Sequence, residues 1–381
     1  MESQCNANNT VVLTYESQFD HLYTTPNRLF VTVCIPLIST FGIINNLAFL
    51  IVLYRVKTMR TATNFYLGNL AFSDTAFLIV MLTKYTWTYL WMAPVEHLAA
   101  KSTFGCSAPY VVIYTFLYSS VFLLTAVTTE RYFAICYPLR HRALSRKTRA
   151  TGLVAISWLL SIAFALFEAN PANLKTTCLE FPDDSIIVAK TGRNIVVVID
   201  CIVRCEWCWN ATYFVDTAQF FAAFFVNFIM YLGIVRALNQ RDVYASSANA
   251  RGSVVEKLSS VRSADIRASI MKSRNTVARM LAINSVVFFV CLFPFKVTNL
   301  HFISLLLEGP PLMSNATLTT LSWLGRVSAL VNASSNPLIY GVTNPRYRVA
   351  FCETFACRRV LAKDVSNASI AYGSTENTSK L

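Results

Sequence analysis

Glu130 and Arg131 stand side by side at the end of a run, Ser107–Thr129, that contains no Asp, Glu, Lys or Arg. Four more ionisable residues interrupt otherwise apolar stretches: Asp74 and Lys84 in 63–91, Lys296 in 280–307 and Arg326 in 311–341. Charges in such surroundings are costly unless they are paired or functional. The chemistry open to them is ion pairing, cation binding by a carboxylate and anion binding by the cations. Catalysis is not expected. The histidines (His21, His97, His141, His301) are scattered, and Asp74 is the only acid near the middle of a span, so no acid–base pair is available. Nor is there an internal repeat of the kind a transporter shows.

The elements that must place these groups are apolar spans. With 55% hydrophobic and 14% charged residues and a mean hydropathy of +0.46, the 381-residue chain carries less charge than soluble domains, where it is about a quarter. A bilayer core of about 30 Å needs about 20 apolar residues per helix. Leu29–Tyr54, Ser107–Thr129, Ala150–Phe167 and Thr217–Val235 are free of formal charge, and with the three interrupted runs they make seven spans. The expected fold is an all-α membrane protein, a seven-transmembrane helix bundle over 29–345. A polar N-terminal segment, 1–28, precedes it without a secretory signal, so the first span is expected to insert by itself.

Basic residues follow span one (Arg55, Lys57, Arg60) and span three (Arg140, Arg142, Arg146, Lys147, Arg149), and 236–279 holds nine Lys or Arg against three acids. The positive-inside rule then puts the N-terminus outside and the C-terminus in the cytoplasm of a plasma-membrane protein, with 239–272 as a cytoplasmic loop. The net charge of +13 is spread over separate loops, so nucleic acid is not an expected partner. Sequons at Asn8, Asn210 and Asn315 fall on the outer side as expected glycosylation sites. So do Cys5, Cys106, Cys178, Cys201, Cys205 and Cys208, a set of six with 15 possible pairings. In 346–359 Tyr347, Val349, Phe351 and Phe355 alternate with arginines at helical spacing. This predicts a short amphipathic eighth helix on the bilayer surface, with Cys352 and Cys357 as palmitoylation sites. The tail 360–381 is polar and expected to be disordered.

Short motifs lie in order along these spans: Asn46 in "GIINNLAFLIV", Asp74 in "NLAFSD", Glu130-Arg131-Tyr132 after Cys106, Trp158, Pro294 in "CLFP", and Asn336, Pro337 and Tyr340 in "NPLIY". Together they resemble the rhodopsin-like (class A) G-protein-coupled receptors over about residues 29–357. The stretch "ERYFAICYPLRHR" is most similar to their neuropeptide branch. The resemblance implies a heterotrimeric G protein as partner, with Glu130 holding Arg131 at rest and Arg131 contacting the G protein once freed. It implies that Tyr231 and Tyr340 meet on activation, and that Pro294 and Pro337 act as hinges. It implies an allosteric sodium ion at Asp74, Ser120, Asn332 and Asn336, and arrestin on a phosphorylated tail. It also implies that Cys106 pins the long outer loop, 171–212, through Cys201 or Cys205, since Cys178 lies close to the end of span four. Three departures from the pattern stand out. Ala223 replaces the proline of span five, "CLFP" lacks the tryptophan so that Phe288 is expected to carry the packing switch, and Arg274 replaces an acid that would latch Arg131.

Leu330 stands where an opsin needs its lysine, and Ile113 where an amine receptor needs its aspartate, so neither retinal nor a monoamine is expected. Lys84 lies about 15 Å outward of Asp74 along its helix. With Lys296 and Arg326 it is expected to converge on a pocket lined by Ile113 and Tyr114, where Glu168 and Asp216 are candidate partners. These cations either form internal ion pairs or receive an anionic group of the ligand. "NIVVVID" in the outer loop predicts a β-strand, of the kind peptide receptors place there. The expected ligand is an extracellular peptide, and the alternative is an anionic lipid or nucleotide.

Overall fold

Where no water can solvate the backbone, a chain must satisfy its N–H and C=O groups within its own helices. The computed structural model describes residues 9–14, 25–92, 103–139, 146–169, 172–192, 194–203, 205–251 and 257–355. Seven long helices run through them: α1 (Ile35–Arg55, preceded by a π-helical turn, Phe30–Cys34), α2 (Ala62–Met92), α3 (Thr103–Cys136), α4 (Arg146–Glu168), α5 (Glu206–Arg251), α6 (Lys257–Leu306) and α7 (Asn315–Thr343). A short α8 (Pro345–Phe355) follows.

Six of the seven contain a stretch long and apolar enough to cross a membrane. The other, α7, turns Asn332, Ser334 and Asn336 into the bundle, and this lowers its hydropathy without exposing those polar groups. The expected loop 239–272 is largely helical instead, because α5 runs on to Arg251 and α6 starts at Lys257. No proline or glycine interrupts either stretch, and Ala, Arg, Lys and Met favour helix.

The packing is set by close approach. Between helices in lipid there is little hydrophobic drive, so small residues let backbones meet. A Cβ on Gly42 of α1 would lie 2.2 Å from Ser334 Oγ of α7 and 2.6 Å from Leu78 Cδ1 of α2. At Gly233 of α5 it would lie 2.6 Å from the Tyr132 ring of α3. Asn46 then bridges α1 to α7, donating to the carbonyl of Ala333 at 2.9 Å.

A three-stranded sheet, order β1–β2–β3, sits at one end. β2 (Ala172–Glu180) pairs antiparallel with β3 (Ile195–Val203), as the "NIVVVID" pattern predicts. β1 (Thr10–Val12) adds in parallel to the other edge of β2, in a register that places Thr10 opposite Cys178. Leu13, Leu179, Phe181 and Ile187 form a small core beneath it. The amide of Phe181 donates to Asn194, whereas that of Cys178 donates to Asn9. Alternation along the ladder therefore turns the backbone groups of Val196 and Val198 toward β2, and those of Val197 and Ile199 toward the outer edge, which no strand among the described residues covers.

Cys205 is bonded to Cys208, with Cα atoms 5.3 Å apart at the start of α5. That corrects one of the two pairings expected for Cys106: the first turn of α5 brings Cys208 into reach of Cys205, and Cys205 is not available. Cys178 is also disulfide-bonded, on the strand that packs against α3. The side chains of Cys106 and Cys201 lie outside the described residues. So do Cys5, Asn8, Cys357 and the tail.

On α8, Tyr347, Ala350 and Cys352 face inward, while Phe351 and Phe355 are exposed with ring centroids 4.7 Å apart. Burial of Cys352, at 6% exposure, withdraws it as an acylation site, so that expectation rests on Cys357.

Two predictions follow from this packing. Gly42→Ala should cost about 1–3 kcal/mol by overpacking, read as a lower melting temperature of the purified protein. Val197→Pro should be tolerated because only an outer-edge N–H is lost, whereas Val198→Pro removes a ladder bond and should abolish surface expression.

Candidate functional site

Three polar clusters lie along the bundle axis. Nearest the sheet, Asp216 of α5 accepts from Lys296 Nζ of α6 at 2.5 Å and from Asn299 Nδ2 at 2.7 Å. Tyr118 Oη of α3 lies 3.0 Å from Asp216 Oδ1 and 3.0 Å from Glu168 Oε1 of α4. All five residues are buried. One phenolic proton serves two carboxylates, so the cluster holds more acceptors than Tyr118 can satisfy. Tyr114 stacks on Tyr118, and Tyr213 stacks on Phe302.

Lys84 and Arg326 belong to a neighbouring aromatic group. Lys84 Nζ lies 4.4 Å from the Tyr110 ring centroid, and Arg326 lies 4.8 Å from that of Trp323, which also contacts Tyr85 and Phe30. Of the two readings open for these cations, internal ion pairing holds for Lys296. Lys296 is neutralised by Asp216, because a buried ammonium without a counter-charge costs several kcal/mol. Ile113 is buried beside Phe77, Met81 and Trp323.

At mid-bundle Asp74 accepts from Ser120 Oγ at 2.9 Å and from Asn336 Nδ2 at 2.6 Å. The amide oxygens of Asn332 and Asn336 are buried and make no hydrogen bond. The Asp74 carboxylate, the Ser120 hydroxyl and the unsatisfied Asn336 oxygen are donors of the kind that suits a hard cation, and the Asn332 oxygen is buried and unsatisfied as well.

At the end opposite the sheet, Glu130 receives a bidentate contact from Arg149 of α4, with Nε at 2.8 Å and Nη2 at 2.9 Å. Arg131 is half-buried beside it. Tyr231 bridges α3 and α6 through Thr128 Oγ1 at 3.2 Å and Ser285 Oγ at 3.1 Å. Tyr340 is 1% exposed, packed between Phe49 and Tyr347, and Tyr347 Oη donates to Asn64. Pro294 and Pro337 sit inside unbroken helices. Phe288 is buried, and its neighbour Phe289 packs across to α5, 5.4 Å from Phe220 and 5.1 Å from Phe224. At Ala223 α5 continues as helix, with the Ala223 carbonyl accepting from Asn227 Nδ2 at 2.8 Å.

The sequence profile described as 7 transmembrane receptor (rhodopsin family) matches residues 45–340. The chain belongs to the rhodopsin family of seven-transmembrane receptors. It is a receptor and not an enzyme. It is 25% identical to neuromedin-U receptor 2 of Mus musculus over 322 residues, 84% of this chain and 74% of that one. Galanin receptor 2a of Danio rerio is 24% identical over 329 residues, 84% of this chain and 76% of its own length. The crystal structure of squid rhodopsin superposes with a TM-score of 0.66 at 18% identity, covering 96% of this chain and 97% of that one.

In this receptor the positions of the motif residues were legible from the sequence, and so were some partners, Ser120 and Asn336 for Asp74 and Asp216 for Lys296, whereas others were not. Arg149 carried no mark distinguishing it from the other loop arginines, and Phe289 none distinguishing it from Phe288. Tyr118 and Asn299 were also missed as members of the Asp216 cluster. The side chain of Arg274 lies outside the described residues. Asn210 is half-buried in α5, and Asn315 is exposed at the start of α7.

Because the Asp216–Lys296 pair is buried, breaking it from one side should be worse than replacing both ends. Asp216→Asn should lower stability by about 3–5 kcal/mol, and adding Lys296→Met should recover most of that loss. Thermal melts of the two purified variants check this.

Proposed function

We propose that this receptor sits in the plasma membrane with the sheet and N-terminus outside, and that its ligand is an extracellular peptide. The observation that carries this reading is the similarity to neuromedin-U and galanin receptors across 84% of the chain. Two features of the site support it. The sheet end presents acids and cations in adjacent aromatic clusters, which suits a ligand bearing both signs of charge. The β2–β3 hairpin and β1 stand over that end as a backbone-rich rim. The runner-up, an anionic lipid or nucleotide, draws on Lys84 and Arg326 alone, since Asp216 occupies Lys296.

Binding at the sheet end would act on a heterotrimeric G protein at the other end by separating α6 from α3. Pro294 and Pro337 supply flexible points in α6 and α7, Tyr231 exchanges its Ser285 contact, and Arg131 meets the G protein with Tyr132 packed on Gly233. Asp74, Ser120, Asn332 and Asn336 would hold a sodium ion, which favours the resting arrangement. Asn315 and Asn8 would carry glycans, Cys357 a palmitoyl group, and phosphorylated Ser and Thr of the tail would recruit arrestin.

Cells expressing the receptor should raise calcium or change cyclic AMP when given neuromedin U, galanin or a pooled neuropeptide library. Arg131→Ala should abolish that response at unchanged surface expression. A response confined to lipids or nucleotides would overturn the peptide assignment.

A further inference from the structure

Only Glu206 and Trp207 separate Cys205 from Cys208, so their bond closes a very short loop. A cross-link stabilises a fold mainly by removing freedom from the unfolded chain, and that gain is smallest for the shortest loops. The first turn of α5 already holds the two Cα atoms 5.3 Å apart, since residues three apart on a helix are neighbours. The fold therefore draws little from this bond, and the two thiols would stay within reach of one another if it were broken. A pair placed in this way can open and reclose without moving the backbone, as Cys-x-x-Cys pairs of disulfide oxidoreductases do.

The surroundings favour exchange. Cys205 stands immediately before Glu206, the first residue of α5, and its Sγ accepts the Cys208 N–H at 3.3 Å. That N–H and the positive end of the helix dipole both stabilise negative charge on the Cys205 sulfur. Both cysteines are half-buried, and Trp207 between them is 72% exposed, so the bundle does not cover this turn. Cys178, the remaining disulfide-bonded cysteine among the described residues, is 0% exposed. Accessible disulfides with a stabilised leaving thiolate are the ones that exchange, whereas enclosed ones persist.

We propose that Cys205–Cys208 is a reversible thiol–disulfide exchange site whose co-reactant is a dithiol, of the kind an extracellular protein reductant carries. One thiolate of the dithiol attacks Cys208 Sγ. The Cys205–Cys208 bond breaks, and its electron pair leaves on Cys205 Sγ. The second thiolate of the dithiol then attacks its own partner sulfur in the mixed disulfide, Cys208 leaves as a thiolate, and the reductant departs as a disulfide. The two protons lost by the dithiol end on Cys205 and Cys208, so the receptor gains two electrons and two protons. Reduction loosens the joint between β3, which ends at Val203, and α5, which carries Tyr213 and Asp216. The choice of an extracellular reductant rests on the orientation proposed above; the exchange itself does not.

The test incubates purified full-length receptor with graded dithiothreitol, or with reduced thioredoxin as a protein dithiol, and then blocks free thiols with N-ethylmaleimide. Peptide mass spectrometry reads each cysteine separately. Cys205 and Cys208 should be labelled together at about tenfold lower dithiothreitol than Cys178, at an unchanged melting temperature. Reduced thioredoxin should give the same order, and oxidised glutathione should reverse the labelling. Cys208→Ala, which leaves Cys205 free, should react with iodoacetamide at neutral pH several-fold faster than Cys205→Ala, which leaves Cys208 free. Labelling of Cys178 before or together with the pair would overturn the site, as would labelling of the pair only once the receptor has melted. Equal rates in the two single variants would overturn Cys205 as the leaving sulfur. Neither a peptide ligand nor a G protein enters this measurement, so failure of the peptide reading leaves it standing and the converse also holds.

Discussion

A charge carried into this bundle must be solvated by protein, because the surrounding hydrocarbon offers nothing. The Asp216 cluster shows what that constraint does to architecture. Its members come from four helices: Tyr118 from α3, Glu168 from α4, Asp216 from α5, and Lys296 and Asn299 from α6. Charge matching inside the bundle is therefore also a statement about which helices must be neighbours. The cluster contains two carboxylates and one ammonium, with Tyr118 contacting both acids, so the partnership is satisfied only in part. A ligand group that exchanged any of these contacts would shift the load among four helices at once, and a ligand moves a conformational equilibrium only through such differential contacts.

The apolar packing serves the same end by different means. Gly42 and Gly233 bring α1 against α7 and α5 against Tyr132, at separations where any Cβ would force a neighbouring side chain to shift. Aromatic rings fill what lies between, with Phe289 joining Phe220 and Phe224 across α5 and α6. Where relatives of this family use a proline to distort the fifth helix, Ala223 leaves it continuous, and Asn227 ties α5 to Thr125 of α3 at 2.9 Å.

Helix number and approximate limits were readable because a span is a local property: twenty or so apolar residues specify it wherever the other helices lie. The hairpin was readable for the same reason, from the branched run at Ile195–Ile199. Partnership is not local. Glu130 and Arg149 are separated by 19 positions, Tyr118 and Asp216 by 98, and β1 pairs with a strand more than 150 residues away. Composition does not say which faces meet. The Cys205–Cys208 bond was missed for a different reason, since six cysteines leave many pairings and only the helical turn at Glu206 makes this one short. The extension of α5 to Arg251 was hidden by charge, because the positive-inside rule marks such a stretch as a loop while helix propensity is indifferent to the membrane edge.

At the end opposite the sheet the balance of charge bears on how the resting arrangement is held. Glu130 is adjacent to Arg131 in sequence and bidentate with Arg149, so one acid stands among two cations. An arginine, Arg274, occupies the position on α6 where an acid would draw that helix toward Arg131. In the described structure Glu130 ties α3 to α4 through Arg149. Among the described residues α6 packs through an apolar seam, Ala278, Met280 and Leu281 against α3, α5 and α7, together with the Tyr231–Ser285 contact. Such a seam has no strong directional bond to break. Opening it costs buried area in small increments, and the excess positive charge left at that end favours any anionic surface presented to it.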